Sequence, residues 1–182
     1  MPRLGFCLLL SILCFLIPAD VQAKVFYAKD EALRLAFPEA DTIEKRTFFL
    51  TDQEAREIEM QARARLESKL ITIYLGRRQN RALGYAFIDV HIVRTLPEAS
   101  MIVLSPEGSV VSTVVLAFHE PLEYLPASRW LKQFEGKTLP RDLAVGREIA
   151  GITGATLTAH AITESVRKAL AIYRVLLAPR RR

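Results

Sequence analysis

A strict alternation of side-chain type over residues 84–93 constrains the fold of this chain more than any other feature. A period of two is the pattern of a β-strand with two distinct faces. One face carries four aliphatic residues and the other carries aromatic and ionisable residues: Ala86, Ile88, Val90 and Ile92 against Tyr85, Phe87, Asp89 and His91. The sequence therefore predicts a strand here that lies between two different environments.

Further strands are predicted at residues 70–75, 101–104 and 110–117, with a polar turn at 76–81. The Ser-Pro-Glu-Gly sequence at 105–108 is typical of a tight turn, because Pro and Gly favour the required backbone angles. Tight turns join antiparallel strands, whereas parallel strands need long crossover connections. The fold class predicted is therefore α+β, an antiparallel β-sheet flanked by helices.

Helices are predicted on both sides of this β region. Thr51 and Glu54 have the spacing of a capping box, which predicts a helix over residues 52–67. A short helix is predicted at 127–134, and a long C-terminal helix at 157–177. The apolar stripe of that last helix follows a helical period: Ala159, Ile162, Val166, Leu170, Tyr173 and Leu177.

The N-terminal residues 1–23 have the three-part pattern of a secretory signal peptide, with cleavage expected after Ala23. An uncleaved N-terminal anchor is the alternative. Both cysteines, Cys7 and Cys14, lie in this segment, so the mature chain would have no disulfide or thiol chemistry. The predicted location is periplasmic or otherwise extracytoplasmic, either free there or associated with the membrane.

The formal net charge of +5 is concentrated partly in the C-terminal arginines. Such a tail is expected to be solvated, with weak attraction to an anionic membrane surface or to an acidic partner as alternatives. Basic and aromatic residues do not interleave, so no nucleic-acid binding is predicted. No metal site is predicted either, because the histidines lack ligand spacing. Four regions follow: 1–23 signal peptide, 24–81 N-terminal helix-strand-helix region, 82–177 main domain and 178–182 basic tail.

The stretch from Thr153 to Thr158 precedes the last helix and brackets two small residues with hydroxyls. The first backbone N–H groups of a helix have no intrahelical partner, and the helix dipole favours negative charge there. A phosphate would be stabilised at this point, and a threonine hydroxyl could accept it as an ester. The alternative is an ordinary helix start in which a hydroxyl caps the first turn.

The residues from Gly151 to Thr158 resemble the flavinylation motif of the FMN-binding domain family, which includes small subunits of the sodium-pumping quinone reductase and of the Rnf complex. Residues 105–111 and 118–137 resemble further segments of that family, so the similarity covers roughly residues 82–175. It implies FMN as cofactor, attached by a phosphoester to Thr156 by a separate flavin transferase. Thr153, Gly154 and Ala155 would be the recognition element, followed by Leu157 and Thr158.

Ala150 is a departure from the family pattern, which often has an aspartate six residues before the acceptor threonine. The nearest acidic residue is Glu148. This leaves covalent FMN, noncovalent FMN and loss of the cofactor as alternatives.

Four residues upstream are candidates for contact with the flavin. Tyr124 and Trp130 could stack on the ring system, with ordinary packing as the alternative. His119 and Glu120 lie where the family closes over the flavin, with a polar pair at a strand end as the alternative.

The main hypothesis is an exported FMN-carrying protein that relays electrons between a membrane complex and another extracytoplasmic carrier. It is expected to be an electron carrier more than a stand-alone enzyme. A noncovalent binding or assembly module of a redox complex is the second hypothesis. A flavin-dependent reductase ranks third, because the sequence has no nicotinamide-binding glycine loop.

Overall fold

The computed structural model describes residues 24–139 and 142–179. The predicted signal peptide and the arginines at 180–182 lie outside the described residues. A single six-stranded sheet has the order β1-β6-β5-β4-β3-β2, and every neighbouring pair is antiparallel. Its strands are β1 Lys24–Val25, β2 Thr42–Phe49, β3 Leu70–Arg78, β4 Arg81–Ile92, β5 Pro97–Leu104 and β6 Val110–Phe118.

Helices cover the two faces of the sheet unequally. They are α1 Lys29–Ala36, α2 Asp52–Ala62, α3 Ser128–Leu131 and α4 Thr156–Ile172, with 3-10 turns at Leu122–Tyr124 and Lys132–Phe134 and a π-helical turn at Tyr173–Leu177. The larger hydrophobic cluster includes residues of α2, α3 and α4, and the smaller one packs α1 on the opposite face. The α+β fold with an antiparallel sheet and a long C-terminal helix is thus confirmed.

The alternation in β4 has the predicted consequence. Phe87 belongs to the larger cluster under α4, whereas Ala86 belongs to the smaller cluster under α1. Five residues of the predicted apolar stripe of α4 are buried, and Leu177 packs against the same cluster partly buried. The sheet therefore separates two packed layers, and α4 forms the centre of the larger one.

Several predicted boundaries differ from the structure: the strands expected at 84–93 and 101–104 begin earlier, at Arg81 and Pro97. The helix expected to reach residue 67 ends at Ala62, because Arg63 adopts a left-handed conformation with φ 50°. The Glu59 carboxylate then accepts a hydrogen bond from the backbone N–H of Leu66 at 2.9 Å. The turn expected at 76–81 is much shorter, since β3 continues to Arg78 and only Gln79 and Asn80 have positive φ between the strands.

Contacts along α4 show at which end of the sheet this helix begins. The Tyr173 hydroxyl donates to the Pro106 carbonyl at 2.8 Å, so the C-terminal end of the helix lies at the β5–β6 turn. Gly108 in that turn has φ +84°, and a Cβ there would lie 2.0 Å from the Tyr173 ring. The N-terminus of α4 therefore lies toward the other end, where β4 and β6 finish. Among the described helices, none has the length and apolar character to cross a membrane.

Candidate functional site

The stretch from Thr153 to Thr158 forms a tight loop that leads directly into α4. Gly154 has φ +83°, a conformation that strains any other residue even though the space around its missing Cβ is open. The Ala155 backbone N–H donates to the Ile152 carbonyl at 3.1 Å, which closes the loop. The helix then begins at Thr156, with Ala155 as its N-cap residue.

No side chain caps the first turn of α4 within the described structure. This differs from α2, where Thr51 accepts from the Glu54 N–H at 3.2 Å and Glu54 accepts from the Thr51 N–H at 2.8 Å. Thr153, Thr156 and Thr158 surround the start of α4, yet none of them performs this role. These threonines therefore do not form the ordinary hydroxyl cap of a helix. The backbone N–H groups of the first turn remain suited to bind an anion.

Exposure distinguishes the hydroxyls of the motif. Thr153 and Thr156 are exposed, whereas Thr158 is 2% exposed. Ala155 is buried below the loop, and Leu157 is 49% exposed beside Thr156. An enzyme that modifies this loop would reach Thr153 and Thr156 but not Thr158. The choice of Thr156 as the acceptor stays a prediction.

The loop that precedes the motif is held at Ala150 through both of its backbone groups. The Trp130 indole N–H donates to the Ala150 carbonyl at 2.7 Å, and the Ala150 N–H donates to Gln133 Oε1 at 2.9 Å. Gln133 also donates to the Trp130 carbonyl at 3.1 Å. We call Trp130, Gln133 and Ala150 the loop clamp. It connects α3 and the turn after it to the chain that enters the motif.

If FMN is attached to this loop by a transferase, as the resemblance implies, Gln133→Ala should slow the attachment about tenfold, because a freed loop presents Thr156 less consistently to that enzyme. The free energy of unfolding should change by about 1 kcal/mol or less, since water can reach Ala150. The measurement is the initial rate of FMN incorporation by purified flavin transferase, followed by fluorescence. Gln133→Glu keeps the acceptor oxygen and is the matched control. Equal rates for the alanine variant and the unmodified chain would contradict the role of the loop clamp.

Trp130 has little surface left for a cofactor ring. It is 8% exposed and packs edge-on against Phe134, with 5.4 Å between the ring centroids. Its indole N–H is already used in the loop clamp. The structure therefore gives Trp130 a positioning contact with the motif loop, and stacking on the flavin stays a prediction.

Glu120 organises the connection between β4 and β5. It is 5% exposed, and its Oε1 accepts from the backbone N–H groups of Arg94, Thr95 and Leu96 at 3.1, 3.1 and 3.2 Å. Burial alone would raise the pKa of Glu120, but these three hydrogen bonds outweigh it and lower the pKa. Glu120 is thus a charged anchor for this loop, and contact with a flavin stays a prediction.

His119 and Tyr124 lie beside that anchor. His119 Nδ1 is 3.0 Å from the Pro97 carbonyl, and the Arg94 guanidinium lies 4.4 Å from the centroid of the Tyr124 ring. Tyr124 is partly buried, and its stacking on the flavin stays a prediction. The structure brings His119, Glu120 and Tyr124 together through Arg94 and the β4–β5 loop, at the end of the sheet toward which α4 begins.

An ion cluster fastens the middle of α4 to β4. Asp89 Oδ2 accepts from the Ser165 hydroxyl at 2.5 Å and lies 3.4 Å from Lys168 Nζ. His91 lies between two carboxylates, 3.4 Å from Asp89 and 3.7 Å from the fully buried Glu98. We call Asp89, His91, Glu98, Ser165 and Lys168 the ion cluster. It fixes the helix whose first residue is Thr156.

Two members of the ion cluster, His91 and Asp89, have strongly shifted pKa values, and both shifts favour the charged form. Burial opposes the charge of His91, but the carboxylates of Asp89 and Glu98, 3.4 and 3.7 Å from the ring, outweigh it and raise the pKa of His91 to about 9. Burial likewise opposes the charge of Asp89, while His91, Ser165 and Lys168 lower its pKa to about 2. Since opposite charges face each other here, the cluster is expected to stabilise the fold around neutral pH.

The stability of the protein should fall as the pH rises through the pKa of His91. A folded pKa of about 9 against 6.5 for the free side chain gives stability that is complete below pH 6.5 and lost toward pH 9. We expect a decrease of about 1–3 kcal/mol in the free energy of unfolding, measured by urea denaturation at both pH values. His91→Gln should flatten this dependence, whereas the exposed His160→Gln should leave it intact. An unchanged slope in His91→Gln would contradict the assignment.

These features define an α+β domain with an uncapped, threonine-rich helix start at one end of an antiparallel sheet. Comparison with protein families identifies the kind of domain. The model of the FMN-binding domain matches residues 96–171, which include β5, β6, the loop clamp and nearly all of α4. Residues 96–171 thus form an FMN-binding domain, and its cofactor is FMN. A search of curated proteins found no match.

The residues present fit that cofactor. The uncapped first turn of α4 offers backbone donors for a phosphate, and an exposed hydroxyl lies beside them on Thr156. Sequence reasoning missed Gln133, Arg94 and the ion cluster. Their interactions join distant residues, as between Asp89 and Ser165, which are 76 positions apart. The ionisable face of β4 was the one sequence signal that pointed to the cluster.

Proposed function

We propose that this protein is an exported electron carrier in which FMN is bonded to Thr156 by a phosphoester. The observation that carries the proposal is the start of α4, where no described side chain caps the helix and the Thr156 hydroxyl is exposed. The FMN-binding domain match supports FMN itself, and the predicted signal peptide supports export. A separate flavin transferase would form the ester, with the FMN part of FAD transferred to the hydroxyl and AMP released.

The residues of this chain would position the cofactor, and they would not themselves take part in the redox chemistry. Bound FMN supplies one- or two-electron transfer. The backbone N–H groups at the start of α4 would hold the phosphate, the loop clamp would fix the approach of the motif, and the ion cluster would keep α4 against the sheet. His119, Glu120 and Tyr124 would shape the surroundings of the ring. The proposed exchange partners are a membrane redox complex and another extracytoplasmic electron-transfer protein.

The absorption spectrum of protein produced with and without a flavin transferase tests this proposal. We expect flavin to stay bound to the denatured protein only when the transferase is present, because unfolding does not break an ester bond. Flavin that is released on denaturation in both samples would show noncovalent binding. A colourless product in both samples would contradict the proposal.

A second candidate function is a noncovalent binding or assembly module of a redox complex. Ala150 favours it, because an acidic residue is frequent at this position in the resembling family. Glu148 does not replace that acid, since its carboxylate lies 2.9 Å from Lys137 Nζ. Ala150 is exposed and both of its hydrogen bonds involve the backbone, so a larger side chain is tolerated there.

Ala150→Asp is therefore expected to increase the rate of FMN incorporation about tenfold if the transferase recognises this acid. The rate is measured with purified transferase and FAD, and Ala150→Asn is the uncharged control of the same size. Equal rates in the aspartate variant and the unmodified chain would show that Ala150 does not limit loading.

A further inference from the structure

Two neighbouring strands of the sheet separate before they end. Strands β3 and β4 are paired from their shared turn as far as Ile73 and Phe87, and the pairing stops there. Strand β3 nevertheless begins at Leu70, and β4 continues to Ile92. Among the described strands, residues 88–92 therefore pair with β5 alone. Alternate residues of an antiparallel strand direct both backbone groups to the same side, so β4 has a free hydrogen-bonding edge toward β3. We call this opening the β3–β4 gap.

A cleft with a volume of about 310 Å³ occupies the β3–β4 gap. Residues from both faces of the sheet line it, because Ile88 packs with the cluster under α1 and Phe87 with the cluster under α4. Val90 and Leu70 also line it, and these apolar side chains are 54% and 56% exposed. A cleft bounded by an unpaired strand edge suits an extended polypeptide segment, whose backbone supplies donors and acceptors at the matching spacing.

The charges that line the cleft indicate which side chains such a segment would carry. Two carboxylates, Glu67 and Asp89, line it together with one cation, Lys168. Lys168 lies 3.4 Å from Asp89 and 3.6 Å from Glu164, so its charge is already matched. Glu67 is exposed and forms no ion pair within the part of the chain that the structure describes. A basic side chain in the incoming segment would supply the charge that Glu67 lacks.

The two sides of the β3–β4 gap differ in polarity. On the side of α1, Val90 follows the parity of Ile88, and Leu70 is the exposed apolar residue across the gap. On the side of α4, Asp89 and Ser165 line the cleft. An extended segment presents alternate side chains to the two sides. The complementary segment therefore alternates between apolar side chains, which face the α1 side, and basic side chains, which face the α4 side.

We propose that the β3–β4 gap is a docking site for an extended segment of a partner protein, which has alternating apolar and basic side chains and pairs with the free edge of β4. The docked segment would contact α4 near Ser165, which lies nine residues, or roughly 14 Å, beyond Thr156 along the helix axis. It would therefore leave the first turn of α4 uncovered. This inference does not depend on the proposed attachment of FMN.

A peptide probe tests the proposal on the full chain. The probe is the peptide Lys-Val-Lys-Val-Lys-Val with a fluorophore at its amino end, and fluorescence anisotropy measures its binding. Two matched peptides carry N-methyl groups on either the lysines or the valines, which removes backbone donors and keeps the side chains. We expect saturable binding of the probe and a loss of about tenfold or more for at least one methylated peptide. Absence of saturable binding, or equal binding of all the peptides, would overturn the proposal.

Charge reversal separates docking in the cleft from general attraction between charges. Glu67→Lys should weaken binding of the probe about tenfold. Glu57→Lys makes the same change of charge at an exposed position of α2 that does not line the cleft, and it should weaken binding less than about twofold. Both positions are exposed, so circular dichroism should show an intact fold. Equal weakening in the two variants would contradict a docking site in the β3–β4 gap.

Hydrogen exchange, followed by NMR, identifies the strand edge that the probe contacts. In the free protein, alternate amides of residues 88–92 should exchange about tenfold faster than the amides that face β5, and the probe should slow them. Slow exchange at all of these amides in the free monomer would overturn the proposal, because the edge would already be paired. Protection that increases with protein concentration in the absence of the probe would also overturn it, since a second copy would then be the occupant.

Discussion

Thr156→Ala is expected to abolish covalent attachment of FMN completely. Thr156 is the exposed hydroxyl beside the uncapped first turn of α4, while the neighbouring Thr158 is buried and inaccessible to a modifying enzyme. Removal of the Thr156 hydroxyl eliminates the oxygen that would form the phosphoester. The measurement is in-gel flavin fluorescence after coexpression with a flavin transferase and denaturation of the protein.

Matched variants separate loss of the acceptor from loss of the fold. Thr156→Ser retains a hydroxyl and should keep part of the fluorescence. His160→Gln, at an exposed position one turn further along α4, should keep the adduct because it leaves Thr156 and the recognition element intact. The free energy of unfolding of Thr156→Ala should change by about 0.5 kcal/mol or less, since the side chain is exposed. Fluorescence that persists in Thr156→Ala at the level of the unsubstituted chain would contradict the assignment of Thr156 as the acceptor.

Asp89→Ala is expected to destabilise the protein by about 2–4 kcal/mol, the largest stability effect that we predict. Asp89 is the carboxylate shared by Ser165, His91 and Lys168, and Lys168 is only 7% exposed. Without Asp89, His91 keeps only Glu98 and Lys168 keeps only Glu164 as a nearby carboxylate, at 3.7 and 3.6 Å. Urea denaturation at pH 7 measures the loss of unfolding free energy.

The control for Asp89 is an aspartate in an exposed ion pair. Asp142 lies 2.5 Å from Arg147, with both side chains about 60% exposed, so Asp142→Ala should cost less than about 1 kcal/mol. Asp89→Asn keeps the shape and can still accept from Ser165, and its effect should lie between the two. A loss in Asp89→Ala no larger than in Asp142→Ala would show that the ion cluster does not fasten α4.

The elements with strong local patterns were predictable. The alternation of β4, the capping box of Thr51 and Glu54, and the apolar stripe of α4 each appear in the structure as expected. These patterns are visible in sequence because each reflects one periodicity or one local hydrogen-bond motif. The motif from Thr153 to Thr158 was recognisable for the same reason, as hydroxyls and small residues before a helical segment.

Boundaries without such signals were not predictable. Helix α2 ends at Arg63, which adopts a left-handed conformation. A glycine at this position would have indicated the end of the helix in the sequence, whereas an arginine does not. The turn after β3 uses Gln79 and Asn80 in positive φ without the glycine that is usual in two-residue hairpins. The polar residues Arg77 and Arg78 therefore resembled a loop, although they extend β3 and pair with Glu44 and Glu39.

The contacts that organise the site lie beyond local patterns for a different reason. Trp130 and Gln133 are 20 and 17 positions from Ala150 in the sequence, and they bind its backbone instead of its side chain. The identity of residue 150 carries no information about these bonds. The sequence thus predicted residues 153–158 as the acceptor loop, but it did not reveal the residues that hold the loop.

Peptide mapping by mass spectrometry tests the central claim most directly. The unmodified chain is coexpressed with a flavin transferase, purified and digested, and the peptide that contains residues 153–158 is sequenced by fragmentation. We expect one FMN group, in phosphoester linkage, on Thr156. An adduct on Thr153 or Thr158, or an unmodified peptide from protein produced with active transferase, would contradict the account.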